Sequence, residues 1–373
     1  MAEKVQRIVD IINRIAPPHL AESWDNVGLL VGDYSAEVDK VMVTLDVTEE
    51  VLDNAIEQDV KLIIAHHPMI FSEIKSIRAD QPIGRLIIKA IQNGVNIFAA
   101  HTNLDIASGG INDLLAEKLE LVEVKPLSVS STDNLYKIVV YIPAGHEEEI
   151  RNALCEAGAG WIGKYSHCTF QASGTGTFKP LEGTNPFIGR KGELEKVKEV
   201  RLETIVPESR LNRAIKAMLK CHPYEEVAYD IYPLKNKGEK FGPGRIGYLP
   251  EPIPYREIIE KIKQNLNLPY LRYLGDLDRI IHKVALCGGS GASLIHKAAF
   301  QGADLYLTGD IKHHDARLAE SLGLALIDAG HYWTEVVCVA YLYNVLKEEI
   351  DKESLSIELV QFTDQTDPFV LYK

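Results

Sequence analysis

The chain has 373 residues, with 40 Lys+Arg against 53 Asp+Glu and a formal net charge of −13. That balance argues against a general nucleic-acid binder, which needs a basic face to displace phosphate counterions. Hydrophobic residues at 46% and charged residues at 25% are ordinary globular usage, which excludes a disordered chain, and at about 100–200 residues per domain the length suits two or three. The five cysteines, Cys155, Cys168, Cys221, Cys287 and Cys338, are scattered and never spaced Cys-x-x-Cys, so neither a disulfide framework nor a thiolate zinc knot is indicated. No run of about 18 apolar residues marks a membrane span, and the N-terminal stretch is too charged for a signal peptide. A soluble, cytoplasmic protein is expected.

In chain order, an amphipathic opening ended by Pro17 and Pro18 leads into alternating strand and helix patterns. Val41–Val47 reads as a strand, Glu49–Gln58 as a helix, Lys61–Ala65 as a strand, Gly84–Asn93 as a helix and Asn96–Ala100 as a strand. The order βαβαβ implies a mostly parallel sheet, and ligands gather beyond the C-terminal ends of such strands. The middle of the chain reads differently. Asn134–Pro143, His146–Ala157 and Tyr165–Gln171, then Val197–Val206, Glu208–Lys220 and Glu226–Pro233, each run strand, helix, strand, which fits an inserted ferredoxin-like α+β domain. A Gly- and Lys-rich stretch from Lys235 to Arg245 reads as its exit.

The last third repeats the layout of the first. Val284–Cys287, Leu305–Thr308 and Ala325–Asp328 are strand-like, with helical patterns at Ala292–Gln301 and Lys312–Leu322. Superposed, LIIAHH meets LYLTGD and AAHTNLD meets DAGHYWTE, so His101-x-x-x-Asp105 recurs as His331-x-x-x-Glu335. The fold expected is therefore α/β: a duplicated βαβ-type sheet domain formed by both chain ends, interrupted by the insert. Its segments are 1–126, 127–243 and 244–373.

Six histidines fall in short stretches at or after strand ends, His66 and His67, His101, His313 and His314, and His331, and each stretch has a carboxylate near it. Imidazole and carboxylate suit zinc, iron, manganese or cobalt. Adjacent His66 and His67 splay to opposite sides, so each can reach a different ion, and two ions about 3.5–4 Å apart bridged by a carboxylate form a hydrolytic centre. His331 and Glu335 share one face if a helix begins near Tyr332. On the Lys312–Leu322 helix at most one of His313 and His314 can face the centre, and Asp310, four residues before His314, can pair with it. Cys287–Ala292, with Gly289 and Ser290 at its middle, can offer backbone N–H groups to a phosphate, or be a tight turn made for packing. Trp24–Leu29 and Gly109–Asp113 are small polar turns flanking the site. Cys221–Glu226 in the insert reads as a helix-to-strand turn.

The motifs AHHP, AHTNLD, TGDIKHHDA and GHYWTE, with ESWDNVGLLVG, resemble the GTP cyclohydrolase I type 2 homologue family, also called the Nif-three-like proteins. The middle segment resembles the CutA-like and PII-like domain of some bacterial members. The resemblance implies two divalent metal ions held by His66, His67, Asp105, His331 and Glu335, with Glu335 touching both and His101 beside the ligands rather than among them. It also implies toroidal homo-hexamers. The family name implies water attacking C8 of the guanine ring of GTP, with release of formate on the way to dihydroneopterin triphosphate. A metal-dependent hydrolase or cyclohydrolase acting on a nucleotide or related small molecule is the first reading, with His101 or His314 moving protons. The rival is a metal-binding regulatory or sensor protein whose insert binds a small effector or partner.

Overall fold

A computed structural model of the chain describes residues 2–370. They divide into two compact units. One is drawn from both chain ends, up to Ser130 and from Phe241 onward; the other is Ser131–Lys240.

The first pass through the larger unit gives α1 (Val5–Ile15), β1 (Gly28–Val31), β2 (Lys40–Thr44), α2 (Glu49–Glu57), β3 (Leu62–Ala65), α3 (Pro82–Gln92), β4 (Asn96–Ala99), the short α4 (Thr102–Ile106), α5 (Ile111–Lys118) and β5 (Val122–Pro126). The second unit follows with β6 (Leu135–Pro143), α6 (Glu147–Glu156), β7 (Thr169–Phe178), β8 (Glu195–Pro207), α7 (Glu208–Cys221) and β9 (Tyr229–Pro233). The chain then returns with β10 (Arg245–Pro254), α8 (Tyr255–Asn265), β11 (Arg272–Leu274), β12 (Ile280–Ser290), α9 (Ile295–Phe300), β13 (Leu305–Gly309) and α10 (His313–Ser321). It closes with β14 (Ala325–Asp328), α11 (His331–Glu335), α12 (Val337–Lys352) and β15 (Glu358–Gln361).

The fold is mixed α/β, and the larger unit holds two main sheets. The first runs β15-β2-β3-β4-β1, parallel except for β1; the second runs β11-β14-β13-β12-β10-β5, with β12, β13 and β14 parallel. Both pack on one core. Val41, Val43, Leu62 and Ile64 of the first sheet and Leu305, Leu307 and Ile327 of the second join it, with α1, α5, α8 and α12. The opposite faces are covered too: Met42 and Ile63 pack with α2 and α3, Tyr306 and Leu326 with α9 and α10. Successive strand residues face opposite ways, so a strand covered on both faces must be apolar at every position. This is why LIIA and LYL are unbroken apolar runs.

The parallel strands end on one side of each sheet, and the polar motifs sit there. One difference from the sequence reading lies at Ala292–Gln301, where a turn of 3-10 helix (Ala292–Leu294) precedes the six residues of α9. The strand before it also runs on to Ser290 instead of stopping at Cys287. In the second unit the order is β7-β8-β6-β9, antiparallel throughout, with β7 and β9 starting later than the sequence suggests. Ile138, Val140 and Ile142 of β6 and Leu202 of β8 bury against Ile150 and Leu154 of α6 and Ala214 and Met218 of α7. No helix among the described residues is long and apolar enough to cross a membrane.

Arg245 locks the returning chain to the first pass. Its side chain is buried, pairs with Asp113 of α5 at 2.5 and 2.9 Å, and donates to the carbonyls of Ile106, Ala107, Gly242 and Gly244. Removing one partner of such a pair strands the other charge, at a cost of about 3–5 kcal/mol when both are buried. Asp113 retains some solvent, so Arg245→Met should lower the unfolding free energy by about 3 kcal/mol in urea denaturation of the full chain. Adding Asp113→Asn should recover part of that loss.

Candidate metal centre

Four strand ends of the larger unit bring the candidate donors together. The end of β3 carries His66 and His67, the turn from β4 into α4 carries His101 and Asp105, and α11, after β14, carries His331 and Glu335. The end of β2 adds Asp46. The splay expected of adjacent histidines is present. His66 Nε2 lies 3.8 Å from Asp105 Oδ1 and 3.9 Å from Glu335 Oε1, whereas His67 Nε2 lies 2.9 Å from Glu335 Oε2. His331 Nε2 is also 2.9 Å from Glu335 Oε2 and 3.4 Å from His67 Nε2. The two oxygens of one buried carboxylate thus face two different groups of donors.

Each imidazole is held from behind. The Nδ1 of His66 donates to the carbonyl of Ala100 at 2.8 Å; those of His67 and His331 bond Asp46 and Asp310, each at 2.7 Å; and that of His101 bonds Asp25 at 2.8 Å. Fixing Nδ1 leaves Nε2 to face the centre, the arrangement used to orient metal-binding histidines. Three groups of donors are close enough to hold a metal ion: His67, His331 and Glu335; His66, Asp105 and Glu335; and His66, His67 and His101. His66 Nε2 and Asp105 Oδ1 are buried with no hydrogen-bond partner. An unpaired buried polar atom costs about 1–3 kcal/mol, and a cation between such atoms removes the cost. The donor set therefore fits a divalent metal.

The protonation states follow from this packing. Burial opposes a charge on His67, but its bonds to Asp46 and Glu335 outweigh that and raise its pKa to about 10. For His331 the hydrogen bond to Glu335 dominates burial and lifts the pKa to about 9. Burial, reinforced by the Glu335 charge, pushes Asp105 up to about 7. Glu335 itself is buried, which favours its neutral form, yet the imidazoles of His331, His66 and His67 hold its carboxyl well below the usual range.

Other expected residues are placed differently. His314 is exposed on α10 and stacks edge-on against His313, with ring centres 5.4 Å apart. Ala319 is the buried residue of α10, and at about 100° per residue His313 and His314 lie well over 90° around the helix from it, toward solvent. Asp310 pairs with His331, not His314, from a left-handed turn at φ 57°. The Gly289–Ser290 loop is no open phosphate cradle. The N–H groups of Gly288, Gly289 and Gly291 already donate to Asn112, Thr334 and Thr308, each at 2.9 Å. Gly289 is instead required by Glu335: at φ +59° a Cβ there would lie 2.0 Å from Glu335 Oε1. Ser290 is exposed and lines a cavity of about 430 Å³ with His101, Asp105 and Glu335. The sequence reading missed Asp46. Its signal was available, since VMVTLD places a carboxylate at the C-terminal end of the strand beside LIIAHH.

Comparison with known proteins now decides the family. The chain matches Duf34/NIF3 (NGG1p interacting factor 3) over residues 3–368. It belongs to that family. It is 46% identical over 371 residues to a Bacillus subtilis protein named GTP cyclohydrolase 1 type 2 homolog, covering 99% of both chains. A Halalkalibacterium halodurans protein of the same name is 45% identical over 368 residues, with 98% of both covered. Among solved structures, a Bacillus cereus protein related to NIF3 superposes with a TM-score of 0.90 at 45% identity, with both chains fully covered. In this DUF34/NIF3 chain, Gly289→Ala combines left-handed strain with a collision against the central carboxylate. It should cost about 2–3 kcal/mol in thermal unfolding of metal-free protein. Gly302→Ala, at φ +73° with open space around it, is the control and should cost only about 1 kcal/mol.

Proposed function

We propose that the protein is a dinuclear metal-dependent hydrolase of the cyclohydrolase type, acting on a nucleotide or a related small heterocycle. The observation that carries this reading is Glu335. It is shared by two of the three possible metal-holding groups, with one oxygen toward His66 and the other toward His67 and His331. His66, Asp105 and Glu335 would hold one ion, His67, His331 and Glu335 the other, with zinc the first candidate and iron, manganese or cobalt alternatives. Such a centre supplies hydroxide at neutral pH and polarises the substrate.

The chain's own residues supply the rest. Asp25, held ionised at a pKa of about 2 because hydrogen bonds from His101 and Thr102 overcome the opposing effect of burial, fixes His101 with Nε2 free to carry a proton. Ser290 offers a hydroxyl to the bound molecule. The name carried by the relatives makes GTP the first substrate to try. The matched arrangement of β1 beside β2–β4 and of β11 beside β12–β14 supports an internal duplication. The strand order of the second unit, with two helices packed on its core, supports a ferredoxin-like, CutA-like insert. The family resemblance adds a homo-hexamer, which should appear in light scattering as a mass of about six chains.

Purified protein should retain about two metals per chain by elemental analysis. Glu335→Gln should remove most of both, and unchanged metal content in that variant would defeat the proposal. Incubation of the metal-replete protein with GTP, other nucleotides and the corresponding uncharged nucleosides and bases should release formate from at least one of them; if none does, the cyclohydrolase reading fails and the metal centre stands. Metal affinity should also depend on pH. At pH 7 the metal-free His67 and His331 carry protons that a cation must displace. Apparent affinity should therefore rise by about one to two orders of magnitude per pH unit from 6 to 8, and flatten above about pH 10.

A further inference from the structure

Beside the centre stand two large aromatic side chains that the fold leaves uncovered. Trp24 is 58% exposed and Phe71 57%. Their ring centres are 5.8 Å apart with the planes inclined at 49°, so they form an open wedge, and each meets the His101 ring nearly edge-on, at 6.1 and 6.4 Å. Single exposed rings are common on protein surfaces, but two in contact at the rim of a cavity make an apolar patch of the kind that a bound molecule covers.

The backbone beneath them is fixed. Asp25 bonds His101 through one oxygen and the N–H and hydroxyl of Thr102 through the other. Asn26 donates its side-chain N–H to the carbonyl of Ile70 at 2.6 Å, tying the segment that carries Trp24 to the one that carries Phe71. The rings are held side by side at the cavity containing Asp105, Glu335 and Ser290. Among the described residues, no lysine or arginine lines that cavity, while Glu22, Asp105 and Glu335 do. On the other flank of the centre the cavity is lined by Asp46, Asp310, Asp328 and Asp367, and its Arg272 is already bonded to Asp328.

We propose that Trp24 and Phe71 are the stacking face for a planar, uncharged heterocycle, so that the substrate is a nucleobase, nucleoside or similar ring and not a triphosphate. A ring stacked there would share its cavity with Asp105, Glu335 and the Ser290 hydroxyl. A polyphosphate tail would lie along walls rich in carboxylates, whose one guanidinium, that of Arg272, is already bonded to Asp328, whereas triphosphate recognition needs cationic or backbone donors. The inference rests on reading the centre as the reactive site, and it names the substrate class for that site.

The test is calorimetric titration of the zinc-loaded, full-length protein with guanosine, adenosine, inosine, a neutral pterin and GTP. At least one uncharged ring should bind as tightly as GTP or tighter. Trp24→Ala should weaken that binding about tenfold or more, and Trp24→Phe should restore most of it. Failure of every uncharged ring to bind would overturn the inference. So would GTP binding more than tenfold tighter than every uncharged ring, or a Trp24→Ala variant that binds like the parent. Metal content is measured alongside. Full metal with no Trp24-dependent binding defeats this inference alone, and Trp24-dependent ring binding by protein that retains no metal defeats the metal reading alone.

Discussion

The structure is organised around one carboxylate that has no business being buried without partners. Glu335 is almost wholly enclosed, and an ionised carboxylate in such a place is tolerated only when paired. Its partners come from both ends of the chain: His66 and His67 from the first pass, His331 from its own helix. That requirement explains details far apart in sequence. Gly289 lacks a side chain because Glu335 occupies the space. Thr334, adjacent to Glu335, accepts the N–H of Gly289 and so ties α11 to the end of β12. Asn112 does the same for Gly288 while donating to the carbonyl of Asp105.

A ring of carboxylates behind the histidines sets the electrostatics. Asp25, Asp46 and Asp310 each bond an Nδ1, which orients the rings, and the bonds to Asp46 and Asp310 help make His67 and His331 stronger bases. Without metal, protons on His67 and His331 balance this negative charge. With metal, the cations would. The same acidity, local here and global in the net charge of −13, makes the surroundings of the centre inhospitable to polyanions unless the ions themselves bind them.

Much of the site was legible because its physics is local. A buried parallel strand must be apolar throughout, so LIIA announces both a strand and the point at which it stops, and the residues after it stand where ligands collect. His331 and Glu335, four apart, share a face of any helix that contains both, and α11 spans just those residues. The histidines of α10 were harder. His313 and His314 have the right chemistry, but whether they face inward depends on which side of the helix meets the sheet, and that side is the one carrying Ala319. Asp46 carried a strand-end signal but no histidine beside it, so only its 2.7 Å bond to His67 reveals its part.

The sequence by itself determined the alternation of strands and helices, the separate character of the middle segment and the residue types of the centre, because each is written in periodicity or composition over a few neighbouring positions. Only the tertiary structure decided that the chain ends build two sheets on a common core, and that β15 crosses back to pair with β2. It alone decided that Asp310 bonds His331 and that the N–H groups of Gly288, Gly289 and Gly291 are taken up by Asn112, Thr334 and Thr308 beside Glu335. Such pairings join residues tens or hundreds of positions apart. They are selected by which buried charges and apolar faces must be satisfied together, a condition that exists only once the chain has closed on itself.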